Sequence, residues 1–180
     1  MIYYFAYGSN LHPLRLTQRV ESANLVTSAQ VFGYRLKFHK LGQDDSAKCN
    51  LLYTGGTSDS VFGAIYTLST RHKSLLDEFE GKGSGYADYE IEIPHRGGML
   101  RCFTYLAQST HIVESIQPYD WYKQLVVQGA DYLAFPKPYI RDIQAIKSLR
   151  DPDTAREQRH ESLLQSIANY PALTYTPTTW

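Results

Sequence analysis

The sequence predicts an α+β fold, a small mixed and mostly antiparallel β-barrel with helices packed around it. About six strand-like segments come in sequence-adjacent pairs before residue 107, which favours antiparallel hairpins. Helical spacing of apolar residues follows from residue 118 onwards. The regular alternation of strands and helices that a doubly wound α/β sheet requires is missing. A small barrel or a strongly curled sheet is therefore the better match.

The chain opens with a strand and a tight loop. Residues 2–7 form an uncharged aromatic and apolar run, which suits a strand buried on both faces. Gly8, Ser9 and Asn10 tolerate unusual backbone angles or bond their own main chain, and Pro13 lies where a proline can open a helix. Such a loop gathers backbone N–H groups that could bind a carboxylate or another oxyanion. A turn that binds nothing uses the same residues.

Strands dominate the following hundred residues, after one or two helical turns within residues 14–24. Residues 31–39 alternate between aromatic or apolar and basic side chains, which indicates a half-exposed strand. Apolar runs at 49–54 and 61–68, separated by a Gly-rich turn, predict two more strands. Residues 86–106 turn once at a glycine pair and predict a long hairpin.

Helical spacing then predicts three late helices, at residues 118–127, 138–149 and 151–168. The first of them is expected to end near Gly129. No linker is apparent, so we expect one domain over residues 1–150, with a C-terminal helix and surface tail over residues 151–180 packing on it.

Composition narrows the classes of function. The 18 basic and 18 acidic residues balance, so no broad charge favours nucleic acid or an anionic membrane as a partner. No apolar run approaches the length of a membrane span, and the start lacks the basic region of a secretion signal. We therefore expect a soluble, cytoplasmic protein in which Cys49 and Cys102 are free thiols.

A second chemical feature is the acidic end of a helix predicted over residues 69–80. Asp77, Glu78 and Glu80 crowd its C-terminus, where negative charge costs roughly 0.3–1 kcal/mol for an exposed group. A partly buried carboxylate placed there would have its pKa raised, both by the helix dipole and by desolvation. That environment would prepare a general base for neutral pH. The alternative is a solvated acidic helix end.

Motifs for other chemistries do not occur in the sequence. The six histidines lack the spacing of a metal site, and the dinucleotide, P-loop and Gly-x-Ser-x-Gly patterns are missing. Ser9 has no histidine at a recognisable offset.

Two motifs together resemble the gamma-glutamylcyclotransferase family. Tyr-Gly-Ser-Asn-Leu at residues 7–11 follows an N-terminal strand, and Leu-Asp-Glu-Phe-Glu-Gly at residues 76–81 lies about seventy residues later. Residues 61–66 and 102–106 are similar to two of the family's strands. The similarity spans about residues 2–147, and the asparagine at position 10 resembles the general branch more than the glutathione-specific one.

The resemblance implies the family's fold and its reaction, in which the α-amine of a γ-glutamyl group attacks its own γ-carbonyl. The reaction releases an amine or amino acid and closes 5-oxoproline. It implies Glu80 as the general acid/base that accepts the ammonium proton and passes it to the leaving nitrogen. The backbone N–H groups of Gly8, Ser9, Asn10 and Leu11 are implied to hold the substrate carboxylate or to stabilise the oxyanion.

Three tyrosines complete the implied substrate site. Tyr7 and Tyr105 are implied to hydrogen-bond the substrate or Glu80, and Tyr86, with Tyr89 as its alternative, stands near a tyrosine position of the family. The resemblance implies a small γ-glutamyl amide or peptide as substrate and requires no metal or organic cofactor. It leaves the leaving amine and the oligomeric state open.

Two other classes of function remain. One is a domain that binds a γ-glutamyl ligand or a partner without activity, although the intact Glu80 argues against it. The other is a Ser9-dependent hydrolase or acyltransferase that acts on a related amide. A 5-oxoproline assay separates the inactive binding domain from an active cyclotransferase. Replacement of Ser9 by alanine should abolish the activity of a Ser9-dependent enzyme, whereas a cyclotransferase should keep part of its activity.

Overall fold

A computed structural model describes residues 1–95 and 97–173, and within them it forms seven strands and five α-helices. The strands are β1 (Ile2–Ala6), β2 (Asn24–Phe32), β3 (Tyr34–Leu41), β4 (Ala47–Tyr53), β5 (Ser60–Leu68), β6 (Tyr86–His95) and β7 (Gly98–Ala107). The helices are α1 (Pro13–Arg19), α2 (Lys73–Glu80), α3 (Asp120–Tyr132), α4 (Lys137–Gln144) and α5 (Thr154–Ala168). The predicted α+β class is therefore confirmed. The predicted tail includes residues 174–180, which lie outside the described residues.

The sheet is mixed and mostly antiparallel, as predicted, but it is not closed. Five strands lie in the order β2-β5-β1-β7-β6, with β1 parallel to β7 and the other neighbours antiparallel. β3 and β4 form a separate two-stranded sheet. This ribbon reaches β7 through a side chain, because the Asn50 amide oxygen accepts the Ala107 N–H at 2.8 Å. The predicted barrel is thus wrong, since the ribbon does not join the two edges of the larger sheet by a backbone ladder.

Gly33 explains why the predicted strand over residues 31–39 is two strands. Its φ of 79° turns the chain between β2 and β3, in a conformation that side chains other than glycine rarely adopt. Its N–H donates to the carbonyl of Asp59 at 2.8 Å, which fixes the turn against the next hairpin. β2 pairs along its length with β5, so residues 24–32 belong to the large sheet.

The helices differ from the sequence prediction at three ends. The helix expected over residues 69–80 begins with a 3₁₀ turn (Thr70–His72) before α2, and it ends at Gly81 with a φ of 64°. α3 continues past Gly129 to Tyr132, and Gly129 does not end it. The glycine serves packing instead, because a Cβ atom there would lie 2.6 Å from the Cβ of Leu11. α4 ends before residue 149, because the Leu149 N–H donates to the Pro118 carbonyl at 2.9 Å.

The central position of β1 in the large sheet determines where the loop after β1 lies. β1 lies between β5 and β7, and its last residues, Phe5 and Ala6, are completely buried. The loop after β1 therefore leaves the middle of the sheet and is covered by α3. α5 packs on α3, where the His160 ring stacks on Trp121 with centroids 3.6 Å apart. No helix in the described part of the chain combines the length and apolar character needed to span a bilayer.

Candidate active site

The loop between β1 and α1 is a tight turn fixed at both ends. The Leu11 N–H donates to the Gly8 carbonyl at 3.1 Å, and the His12 ring caps α1 by accepting the Leu14 N–H at 3.2 Å. Pro13 opens the helix, as the sequence predicts. Gly8 leaves little room for a side chain, because a Cβ atom there would lie 3.0 Å from the Cβ of Cys49. The loop is therefore held against β4.

This turn leaves three backbone donors for a ligand. Among the residues that the structure describes, no acceptor takes the N–H groups of Gly8, Ser9 or Asn10. Leu11 corrects the sequence prediction, since its N–H is used within the turn and its side chain is buried. The Leu11 carbonyl in turn accepts the Tyr66 hydroxyl at 2.7 Å. Leu11 thus holds the loop in shape and does not present a donor.

Glu80 reaches this loop from the end of α2. Its Oε1 atom accepts hydrogen bonds from Asn10 Nδ2 at 2.8 Å and from the Arg19 guanidinium at 3.2 Å. Arg19 also donates to Asn10 Oδ1 at 3.0 Å, so the three side chains form a closed triangle. The side chains of Arg19 and Glu80 are 20% and 16% exposed. The carboxylate is therefore held in one orientation and remains accessible from one side.

Seven of the eight predicted site residues line one small chamber, and Leu11 does not. The chamber has room for about one water-sized group, about 20 Å³. Its complete lining is Tyr4, Tyr7, Gly8, Ser9, Asn10, Cys49, Glu80, Tyr86, Tyr105 and Tyr122. Tyr89, the alternative to Tyr86, is 46% exposed on β6. Five segments of the chain therefore share this chamber with Glu80: β1 with the loop after it, β4, β6, β7 and α3.

The chamber tyrosines hold the walls together through their hydroxyl groups. Tyr7 donates to the carbonyl of Tyr105, and Tyr86 donates to the carbonyl of Cys49, each at 2.5 Å. The Tyr122 hydroxyl accepts the Cys49 N–H at 3.0 Å. Burial raises the pKa of Tyr7, Tyr86 and Tyr122 well above the ordinary tyrosine value, so all three stay protonated.

Tyr105 points its hydroxyl away from Glu80. It donates to Asp77 Oδ1 at 2.5 Å, and Asp77 also accepts from Lys73 at 2.7 Å. Burial acts to raise the pKa of Asp77, but the hydrogen bonds from Lys73 and Tyr105 outweigh it and keep that pKa below its usual value. Neither Tyr7 nor Tyr105 bonds Glu80, because their hydroxyl groups donate to the Tyr105 carbonyl and to Asp77 instead. Asp77 is accordingly a structural partner of Tyr105 and Lys73.

Neither nucleophile near the chamber is activated. Burial raises the pKa of Cys49 to about 12, so its side chain is a thiol at neutral pH. In the described part of the chain, the Ser9 hydroxyl has no hydrogen bond to a histidine. His160 lies in the adjacent cleft, where burial lowers its pKa to about 4 and its ring stacks on Trp121. The site therefore lacks the nucleophile and base pair of a serine or cysteine hydrolase.

A larger outer cleft of about 290 Å³ adjoins the chamber. The two spaces share four residues, which are Ser9, Glu80, Tyr86 and Tyr122. Five basic side chains line the cleft, which are Arg15, Arg19, Lys40, Lys48 and Arg156. Arg156 and His160 are four residues apart on α5, so one turn of this helix forms part of the cleft wall. The cleft can thus hold the part of a ligand that does not fit in the chamber.

Arg19, Tyr4 and Tyr122 also line the chamber or the cleft, although the sequence motifs do not identify them. A signal existed for Arg19, since Arg15 and Arg19 are four residues apart and therefore share one face of the short helix after the loop. Tyr122 gave no such signal, because its contact with Cys49 depends on the packing of α3 against β4.

Comparisons with known proteins show which family and which fold this chain resembles. A sequence model described as the AIG2-like family matches residues 60–143, a range that includes Glu80. The gamma-glutamylcyclotransferase of Mus musculus is 31% identical over 153 residues, which cover 80% of this chain and 78% of the mouse protein. The Homo sapiens gamma-glutamylcyclotransferase is 29% identical over the same shares of both chains. A solved structure titled gamma-glutamyl cyclotransferase matches the fold with a TM-score of 0.77 at 24% identity, covering 92% of this chain and 98% of the other.

Proposed function

This chain belongs to the gamma-glutamylcyclotransferase family, and we propose that it is an enzyme that releases 5-oxoproline from a γ-glutamyl amide with Glu80 as general acid/base. The observation that carries the proposal is the contact between Glu80 and the first loop, with Glu80 Oε1 2.8 Å from Asn10 Nδ2. This contact puts a proton acceptor beside the free N–H groups of Gly8, Ser9 and Asn10. The reaction requires these two groups side by side.

The loop N–H groups position the substrate. Backbone donors that point into a small enclosed space favour an anion, and the α-carboxylate of the γ-glutamyl group supplies one. With that carboxylate held, the glutamyl chain folds back so that its α-amine lies near its own γ-carbonyl. Holding two reacting groups together in this way lowers the barrier to ring closure by several kcal/mol. Because the chamber holds only about one water-sized group, the rest of the glutamyl chain and the leaving amine extend into the outer cleft, which Ser9 and Glu80 also line.

In this proposal, Glu80 carries out the proton transfers of the reaction. The substrate α-amine begins as an ammonium with a pKa of about 8, and it must lose a proton before it can attack. Glu80 accepts this proton, and the nitrogen lone pair forms the ring C–N bond at the γ-carbonyl carbon. The resulting oxyanion lies beside the loop donors. Glu80 then gives this proton to the leaving nitrogen as the original amide bond breaks. The second proton of the new ring nitrogen passes to Glu80 and from there to the released amine, so the products are 5-oxoproline and an ammonium ion.

Arg19 and Asn10 hold the carboxylate during this cycle. Both donate to Oε1, which leaves Oε2 of Glu80 without a hydrogen bond to the described residues. An oxygen held in place and still lacking a donor is suited to accept the ammonium proton. We infer that Oε2 is the atom that exchanges the proton.

The test is a product analysis on a panel of γ-glutamyl amides. The purified protein should release 5-oxoproline and free amine in equal amounts from at least one of them. Release of glutamate with the amine would instead support the Ser9-dependent hydrolase, because hydrolysis adds water and closes no ring. Binding of the amides without any product would support the inactive binding domain.

A further inference from the structure

Two of the basic side chains in the outer cleft form no ion pair with any residue that the structure describes. Arg15 on α1 is 6% exposed and Lys40 on β3 is 5% exposed. The other three cations are paired: Arg19 with Glu80, Lys48 with Asp44 at 2.6 Å, and Arg156 with Asp151 at 2.6 Å. In the part of the chain that the structure describes, neither Arg15 nor Lys40 forms an ion pair.

Buried cations without an acidic partner are unusual, because loss of hydration disfavours the charged form. The Arg15 Nε atom is buried and has no hydrogen-bond acceptor. Burial, with the nearby charge of Arg19, lowers the pKa of Arg15 to about 9, and burial also lowers the pKa of Lys40. Arg15 is still charged at neutral pH. A bound anion would offset the cost of burial for both side chains.

Both cations lie where the leaving group would leave the chamber. The Lys40 ammonium is 4.7 Å from the ring centre of Tyr86, which lines the chamber and the cleft alike. Arg15 lines the cleft together with Tyr122, which is also shared between the two spaces. The acidic side chains of the cleft offset these charges only in part: Glu80 acts to raise the pKa of Arg15 and Lys40, and Asp44 acts to raise that of Lys40, but burial outweighs them. Asp44 is paired with Lys48, Glu80 is paired with Arg19, and Glu78 is exposed.

We infer that the outer cleft selects γ-glutamyl substrates whose leaving amine carries two carboxylates, as an acidic α-amino acid does, with Arg15 and Lys40 as the residues that bind them. This inference rests on the proposed function. A leaving group with one carboxylate satisfies one of the two cations, and a cationic leaving group such as a polyamine is repelled by both. Guanidinium and ammonium groups each bind carboxylates through charge-assisted hydrogen bonds.

The experiment compares γ-glutamyl-glutamate with γ-glutamyl-glutamine, which have nearly the same shape but differ by one carboxylate. The wild-type enzyme should show a kcat/KM at least about tenfold higher for γ-glutamyl-glutamate, a ratio that corresponds to about 1.4 kcal/mol. Arg15→Met and Lys40→Met should each move this ratio towards one, mainly through KM, since the lost contact acts on ground state and transition state alike. Arg15→Lys and Lys40→Arg keep the charge and should retain most of the preference.

Lys37→Met is the matched control. Lys37 is on the same strand as Lys40 but does not line the cleft, so its replacement should leave the ratio unchanged. A wild-type ratio near one would overturn the inference, and this result needs no variant to fold. A preference that survives in both methionine variants would also overturn it. If no γ-glutamyl amide yields 5-oxoproline, the proposed function itself fails, and that outcome is distinct from turnover without preference.

Discussion

The Oε1 atom of Glu80 lies 2.8 Å from the Nδ2 atom of Asn10, although 70 positions separate the two residues. The contact joins the end of α2 to the loop after β1, and Arg19 donates to both side chains. The same small chamber is therefore lined by a fixed carboxylate and by Gly8, Ser9 and Asn10, whose backbone N–H groups have no acceptor among the described residues. Their proximity is the structural basis of the proposed chemistry.

Replacement of Asn10 by alanine should reduce kcat about 10- to 100-fold. The variant keeps the backbone N–H of residue 10 but loses a hydrogen bond to a charged oxygen, which is worth about 1.5–3 kcal/mol. Steady-state kinetics of 5-oxoproline release measure the change. Asn24→Ala is the matched control, because Asn24 is exposed on β2 and lies outside the chamber. An unchanged kcat in Asn10→Ala would show that the orientation of Glu80 does not depend on this contact.

Replacement of Ser9 by alanine should leave activity within about tenfold of the wild type. The residue keeps its backbone N–H, which is the group assigned to substrate binding, and the hydroxyl has no base to activate it. The same product assay measures the effect. Complete loss of activity with an unchanged fold would support a hydrolase or acyltransferase that uses Ser9 as its nucleophile.

Asp151 makes a pH-dependent contribution to stability. Its buried carboxylate accepts two hydrogen bonds from Arg156, at 2.6 and 2.7 Å, and one from the Trp121 indole at 2.7 Å. Hydrogen bonds from Arg156 lower the pKa of Asp151 to about 2, below its usual value of 3.8. The stabilisation is therefore complete above about pH 4 and is lost as the pH falls through about 2.

Asp151→Asn should lower the free energy of unfolding by about 3 kcal/mol at pH 7, because it breaks a buried ion pair. Urea unfolding at several pH values measures the difference from the wild type, which should shrink below pH 4. Asp131→Asn is the control: it breaks the exposed pair with Lys137 and should cost less than about 1 kcal/mol. Equal losses in the two variants, or a loss at Asp151 that is independent of pH, would contradict this account.

The sequence predicts those strands and helices whose conformation depends on residues close to them in the chain. The hairpin of β6 and β7 follows from alternation around a glycine turn, and α2 follows from the helical spacing of its apolar residues and from Gly81, although only Leu76 of those apolar residues is buried. The break at Gly33 was missed, because a single glycine within an alternating run is compatible with one strand or with two. The predicted barrel is wrong because the spacing of strands along the chain does not determine which strand edges pair.

In the candidate site, too, the local motifs can be predicted from the sequence, whereas the contacts that depend on the fold cannot. The loop at residues 7–11 and the acidic helix end were both visible as motifs, and their meeting was expected from the family resemblance. The closed triangle with Arg19 depends on the direction of α1, and the use of the Leu11 N–H depends on the geometry of the turn. Neither can be read from spacing alone.

The most direct test of the central claim is the rate of 5-oxoproline release by Glu80→Gln. The amide is nearly the same size as the carboxylate and can still accept a hydrogen bond from Asn10, so circular dichroism and thermal unfolding should show a folded protein. Because the amide cannot take the ammonium proton, kcat should fall at least about 100-fold on a substrate that the wild type turns over. A folded Glu80→Gln enzyme with kcat within a few-fold of the wild type would contradict the assignment of Glu80 as the general acid/base.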